Sequence, residues 1–166
     1  MPRRTANSAV VDGVLKMIAL GGLTATVLIA PNAVQALDKP LQKLFKKFDE
    51  RARQRELRKA LRYVRAQGLV TENYEHGLQL TNRARQRLAK LEVDEMSIAK
   101  PKIWDKKWRI IFFDIPESQK SNRDAFAGKV RQMGFVVLQR SVFVHPFPCR
   151  HEVETVANYF GVSDYI

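Results

Sequence analysis

The spacing of apolar residues changes character along the chain, and each change predicts an element. Residues 9–30 form a long apolar stretch interrupted by Asp12, Lys16, Gly21 and Gly22, and Pro31 follows it. This predicts a long buried helix, with a second short helix over 32–38. Leu57, Leu61 and Val64 then recur at i, i+4 and i+7, one face of an amphipathic helix, and Gly68 is placed to end it. Residues 69–71 and 78–80 alternate as short strands around a turn over 73–77. Thr81 is a cap for a further helix over 82–91. The order helix, helix, amphipathic helix, hairpin, helix is that of a winged helix-turn-helix.

A connector over 93–103, containing Pro101, separates this half from a second pattern. Residues 108–113 form a dense apolar run, expected to be a central strand, and Pro116 forbids ladder pairing at its own position. Ser118 or Ser121 is expected to cap a helix reaching Met133, with Ala125, Phe126 and Val130 inward and Gly134 as terminator. Residues 135–145 are apolar except for Gln139, Arg140 and Ser141, which leaves one long strand or a tight hairpin open. A helix over 151–159 and the start of a strand at 164–166 complete a β-α-β-β-α-β order, the ferredoxin-like arrangement. The fold class expected is therefore α+β: a winged helix-turn-helix over 1–92, a linker over 93–103, and a ferredoxin-like domain over 104–166.

Charge sharpens the first half. The chain of 166 residues carries 29 Lys and Arg against 17 Asp and Glu, a net charge of +12. Residues 39–65 hold eleven basic and three acidic side chains, so most of the excess sits in one segment. Such a balance attracts phosphate backbones through counterion release and long-range steering. Arg53, Arg55, Arg58, Lys59, Arg62 and Arg65 populate the polar surface of the amphipathic helix and are the candidate DNA-binding residues. A solvated surface helix is the plainer alternative. Tyr74 and His76, at the hairpin tip, are candidates for a wing contact, with an ordinary surface turn equally consistent.

Residues 17–37 contain no charge and approach the length of a membrane span. The flanking charges, the glycines and Pro31 favour a buried helix, because the uninterrupted apolar part, residues 17–30, is short for a span. A membrane anchor over 9–30 and a signal peptide ending near Ala33-Val34-Gln35-Ala36 are the other readings. The single cysteine, Cys149, excludes an internal disulfide and is compatible with a cytoplasmic location.

Other candidate chemistry is sparse. Asp114, at the end of the 108–113 strand, is the one sharp catalytic and metal-binding candidate. A carboxylate there suits Mg²⁺, and two related by a dimer axis could share one ion, with Glu117 and Asp124 as further oxygen ligands. Capping the next helix is the structural alternative. His145, Cys149 and His151 give an H-x3-C-x-H pattern, but a structural zinc site needs four ligands and no second cysteine exists. Ser141 lacks the partners of a triad, and no glycine-rich phosphate loop is present. No cofactor is required by the sequence, with Mg²⁺ implied only if the Asp114 reading holds.

Residues 104–109 (WDKKWR), 113–117 (FDIPE), 134–135 (GF), 138–144 (LQRSVFV) and 145–149 (HPFPC) together resemble the C-terminal half of PaaX-like transcriptional regulators. That half is itself similar to the small CRISPR-associated endonuclease at the centre of the spacer-integration complex. The resemblance covers residues 104–166. It implies a homodimer built through the ferredoxin-like domain, operator DNA as partner, transcriptional repression, and in some members release by a small acyl-CoA effector. Its CRISPR branch implies one metal-holding aspartate per protomer, at the position of Asp114, and an integrase as partner. The function expected is sequence-specific double-stranded DNA binding by a homodimer, as a PaaX-like repressor. A metal-dependent endonuclease or spacer-integration component, and a membrane-associated protein, are the alternatives.

Overall fold

The computed structural model describes residues 7–20, 41, 49–73 and 77–166. The chain divides into two compact units, Met1–Leu88 and Ala89–Ile166, each with its own apolar core. The fold is α+β, with a small antiparallel sheet in each unit.

In the first unit, helix α1 (Ser8–Ala19) starts where the Asn7 side chain accepts the Ala9 N–H at 3.1 Å. It buries Val10, Val11, Val14, Leu15 and Ile18. The helix expected over 9–30 stops at Ala19. Leu20 takes non-helical dihedrals and is 82% exposed, and it precedes Gly21 and Gly22, poor helix formers. The remainder of that expected helix and the one expected over 32–38 lie outside the described residues.

Helix α2 (Glu50–Ala66) is capped by Asp49, whose carboxylate accepts the Ala52 N–H at 2.7 Å. Leu57, Ala60 and Val64 are buried, while Leu61 is only half-buried. Gly68 ends the helix at φ +59°. Its N–H reaches the Arg65 carbonyl and the Leu69 N–H reaches that of Val64, which satisfies two terminal acceptors and packs Leu69 on Val64.

Strands β1 (Val70–Asn73) and β2 (Gly77–Leu80) pair antiparallel, with Val70 opposite Leu80 and Asn73 opposite Gly77. Helix α3 (Asn82–Glu95) follows, and the Thr81 hydroxyl accepts the Ala84 N–H at 3.4 Å as expected. It runs past the expected end at residue 91, and the division between the units falls within it.

In the second unit, the sheet contains β3 (Arg109–Phe112), β4 (Val136–Gln139) and β5 (Val142–His145), all antiparallel in the order β3-β5-β4. Residues 135–145 are thus a tight hairpin turning at Arg140 and Ser141, not one strand. A 3-10 turn (Glu117–Gln119) leads into α4 (Lys120–Gln132) without a side-chain cap, so neither Ser118 nor Ser121 plays the expected role. Arg123 instead ties this end down by reaching back to Glu117 at 2.8 Å. The inward residues of α4 are Phe126, Ala127 and Val130, and Ala125 is exposed, because the helix begins at Lys120 and turns that face outward.

Helix α5 (Arg150–Phe160) ends at Gly161, φ +66°. The strand expected at 164–166 is absent: Ser163–Tyr165 form a 3-10 turn. Buried Val162 anchors the turn, and the Tyr165 carbonyl accepts the Asp114 N–H at 3.0 Å. The described order is therefore β-α-β-β-α. Val93, in the expected linker, is buried in this unit's core, and Met96 and Ile98 pack against it.

One sheet face carries Ile111, Phe113, Phe135 and Phe143 into the core with Phe126, Val130, Val153 and Val156. The other face is apolar and open. Ile110, Val144 and Val136 form one cross-strand row, and Phe112 and Val142 the next. Ile110, Phe112 and Val136 are 51%, 63% and 60% exposed.

Candidate nucleic-acid interface

The buried side of α2 fixes where its cations point. Leu57, Ala60 and Val64 face the core, so the opposite side carries Arg51, Arg55, Arg58, Arg62 and Arg65. These five are all exposed, and their spacing of four, three, four and three residues keeps them in one file along the helix, at about 100° per residue. From Arg51 to Arg65 the file rises fourteen residue steps, about 21 Å at 1.5 Å per residue.

Of the six arginines and lysines expected to bind DNA, Arg55, Arg58, Arg62 and Arg65 share this file. Arg53 is half-buried on the core side. Lys59 lies off the file and is paired with Glu56 at 2.6 Å. Arg51, which is not among those six, completes the file. The signal was its i, i+4, i+7, i+11, i+14 relation to the other four.

Local bonds hold this helix in place. Arg83 donates to the Gln67 carbonyl at 3.4 Å, which places a cation at the negative end of the helix dipole. The Thr81 hydroxyl donates to the Gly68 carbonyl at 3.0 Å, tying the start of α3 to the turn after α2. Arg87 donates to Asp12 at 2.7 Å and to Ser8 at 3.1 Å, linking α3 to α1, and its guanidinium is held above its ordinary pKa chiefly by the Asp12 hydrogen bond. Tyr74 and His76, the expected wing contacts, lie outside the described residues.

Asp114 is exposed at the end of β3. The two carboxylates suggested as its co-ligands are engaged by one arginine: Arg123 contacts Glu117 at 2.8 Å and Asp124 at 3.6 Å. Among the described residues no group of three or more His, Cys, Asp or Glu side chains is arranged to hold a metal ion.

Two of the three H-x3-C-x-H residues, His145 and Cys149, serve the core of the second unit. His145 is buried, its ring 4.9 Å from that of Phe135, and its Nδ1 accepts the Phe147 N–H at 3.1 Å. Cys149 is buried, and burial pushes its thiol pKa up. His151 is exposed.

Residues 104–109 form a pinned loop. Trp104 donates through Nε1 to the Pro146 carbonyl at 2.8 Å and meets Trp108 edge to face at 5.5 Å. Arg109 donates to Asp105 through both terminal guanidinium nitrogens and also donates to the carbonyls of Lys107 and Pro146. The Arg109 hydrogen bond holds the Asp105 carboxyl at about 2. Lys106, at the tip, takes φ +62°.

Among the described residues no helix is long and apolar enough to cross a membrane, and the uncharged residues 21–37 lie outside them. No curated protein and no solved structure matches the chain. Residues 101–166 match the family model of the PaaX protein central Cas2-like domain, which supports a PaaX-like relationship for the second unit.

Proposed function

We propose that the protein is a PaaX-like transcriptional regulator that binds double-stranded DNA as a homodimer, through α2 of each protomer. The observation that carries this reading is the file of five exposed arginines set opposite the buried face of α2. A helix that precedes a hairpin, as α2 precedes β1 and β2, is the recognition element of a winged helix-turn-helix, and arginine supplies both base-edge and phosphate contacts. The open apolar face of the second unit's sheet supports a second copy as partner. Contiguous exposed apolar surface marks an interaction site, and a self-complementary patch closes a two-fold dimer. Two such helices at fixed spacing would favour a palindromic site, with repression following from occupancy.

The test is titration of the full chain against fluorescent duplex DNA over a range of salt. Affinity is expected to fall steeply with salt, and the Arg58→Ala/Arg62→Ala double variant is expected to bind at least tenfold more weakly. Unchanged binding by that variant, with its helicity intact, rejects α2 as the DNA-binding element.

A further inference from the structure

The composition of the α2 file says more than its charge. Lysine makes up 13 of the chain's 29 cations, yet none of the five positions 51, 55, 58, 62 and 65 is lysine. The one lysine of α2, Lys59, sits off the file beside Glu56. Attraction to phosphate alone is served by either residue. A planar fork of donors is needed only where two acceptors must be met at once.

The file also lacks the side chains that read adenine. Asparagine and glutamine bridge adenine N6 and N7, whereas arginine bridges guanine O6 and N7. The one amide within α2, Gln54, is half-buried where the five arginines are exposed, and stands at the edge of the file, about 20° from Arg65 at 100° per residue. An exposed surface of arginine without amides is matched to guanine edges and phosphates.

Length divides the work. The file runs about 21 Å, and the major groove is only about 12 Å wide. A straight helix therefore leaves the floor of a curving groove at both ends and meets the phosphate walls there. Arg51 and Arg65 are the end residues. Arg62 is drawn along the helix, its Nε 3.4 Å from the Arg58 carbonyl. Arg55 and Arg58 remain as the exposed residues near the middle.

Resting on the duplex-binding reading above, we infer that α2 is a guanine reader: Arg55 and Arg58 take guanine edges in the major groove, and Arg51 and Arg65 hold the flanking phosphates. Site preference is then set by guanine steps near the helix centre, and A·T-only duplexes are bound through their backbone alone.

Three duplexes of equal length test this with the full chain: alternating G·C, alternating A·T, and the G·C duplex with 7-deazaguanine in place of guanine, which lacks the N7 acceptor. The G·C duplex is expected to bind roughly tenfold more tightly than the A·T duplex, with most of that preference lost on 7-deazaguanine. The Arg55→Lys/Arg58→Lys double variant, which keeps the charge and loses both planar forks, should lower the preference severalfold with an unchanged salt slope. Arg51→Ala should weaken all three duplexes alike and lower the salt slope by about one. Equal affinity for all three duplexes would overturn the inference while leaving duplex binding in place. Failure to bind any of the three would remove both.

Discussion

Among the described residues each unit exposes a face of uniform character, and the two faces are opposites in chemistry. On α2 the exposed file is entirely cationic, and the apolar residues of that helix are turned inward. On the sheet of β3, β4 and β5 the exposed face is apolar, although the opposite face already fills a core. An amphipathic helix with a charged outer side is the ordinary outcome of folding in water. A sheet with two apolar faces is not, since only one is covered in the single chain. The charged file has meaning through what it attracts, and the apolar face through what it excludes.

Removing core side chains tests whether the units are separately held. Leu57 and Phe143 are both fully buried, one in each core. Leu57→Ala is expected to cost about 2–5 kcal/mol and Phe143→Ala about 3–5 kcal/mol. Calorimetry should show the loss concentrated in a different part of the unfolding transition for each variant. An identical shift of one single transition would mean that the units unfold together.

The apolar face gives the next largest effect. Phe112→Glu places a charge in the middle of the open rows, where it would be desolvated against a second copy. The self-association constant measured by sedimentation should fall at least tenfold, while helicity and the melting of the monomer stay close to those of the parent. If the parent chain sediments as a monomer at all concentrations, the sheet face is not a dimer interface.

Glycine provides a matched pair across the units. Gly68 (φ +59°) and Gly134 (φ +96°) close α2 and α4 with the same two carbonyl–amide bonds. A Cβ at Gly68 would meet nothing within 4 Å, and one at Gly134 would meet the His145 ring at 3.6 Å, an ordinary contact. Backbone strain therefore dominates at both, and alanine at either should cost about 1–2 kcal/mol in chemical denaturation. A much larger cost at Gly134 would show that the His145 ring cannot give way.

These contrasts also separate what the sequence made legible from what it did not. Leu57 and Val64 at helical spacing, the hairpin around residues 73–77, the Thr81 cap and the terminators Gly68 and Gly134 are local signals, and α2, the hairpin, the start of α3 and the end of α4 stand where they point. Features set by distant contacts were hidden. The extension of α3 to Glu95 is capped by Lys129, whose ammonium donates to the Asp94 and Met96 carbonyls at 3.1 Å from more than thirty residues away. The final 3-10 turn depends on the burial of Val162 and on Tyr165 meeting Asp114, contacts no local pattern encodes. Within the arginine helix, the division between the file and the off-file Arg53 and Lys59 follows from which residues are buried, Leu57, Ala60 and Val64, and the same burial places Arg51 in the file.

The smallest expected effect concerns the loop that carries both tryptophans of the chain. Asp105 is held by Arg109, which also binds the Lys107 and Pro146 carbonyls, so one carboxylate organises the stretch from Trp104 to Trp108. Its carboxyl lies at about 2 against an ordinary 3.8. A depressed folded-state value means that the ionised form is the one stabilised by the native loop. That contribution is complete above the ordinary carboxylate range, shrinks as the pH falls below 3.8, and is gone once the pH passes below about 2. The ion pair is exposed to solvent, so salt should weaken it as well. Because Trp104 and Trp108 are the only indoles, their fluorescence reports the loop and nothing else. The emission of the parent chain should change through that acid window before the bulk of the helicity is lost. Asp105→Asn should show the altered emission already at neutral pH, with no transition in the window. A parent and variant that titrate identically would mean that Asp105 does not set the loop, and that Trp104 is fixed by its bond to Pro146 alone.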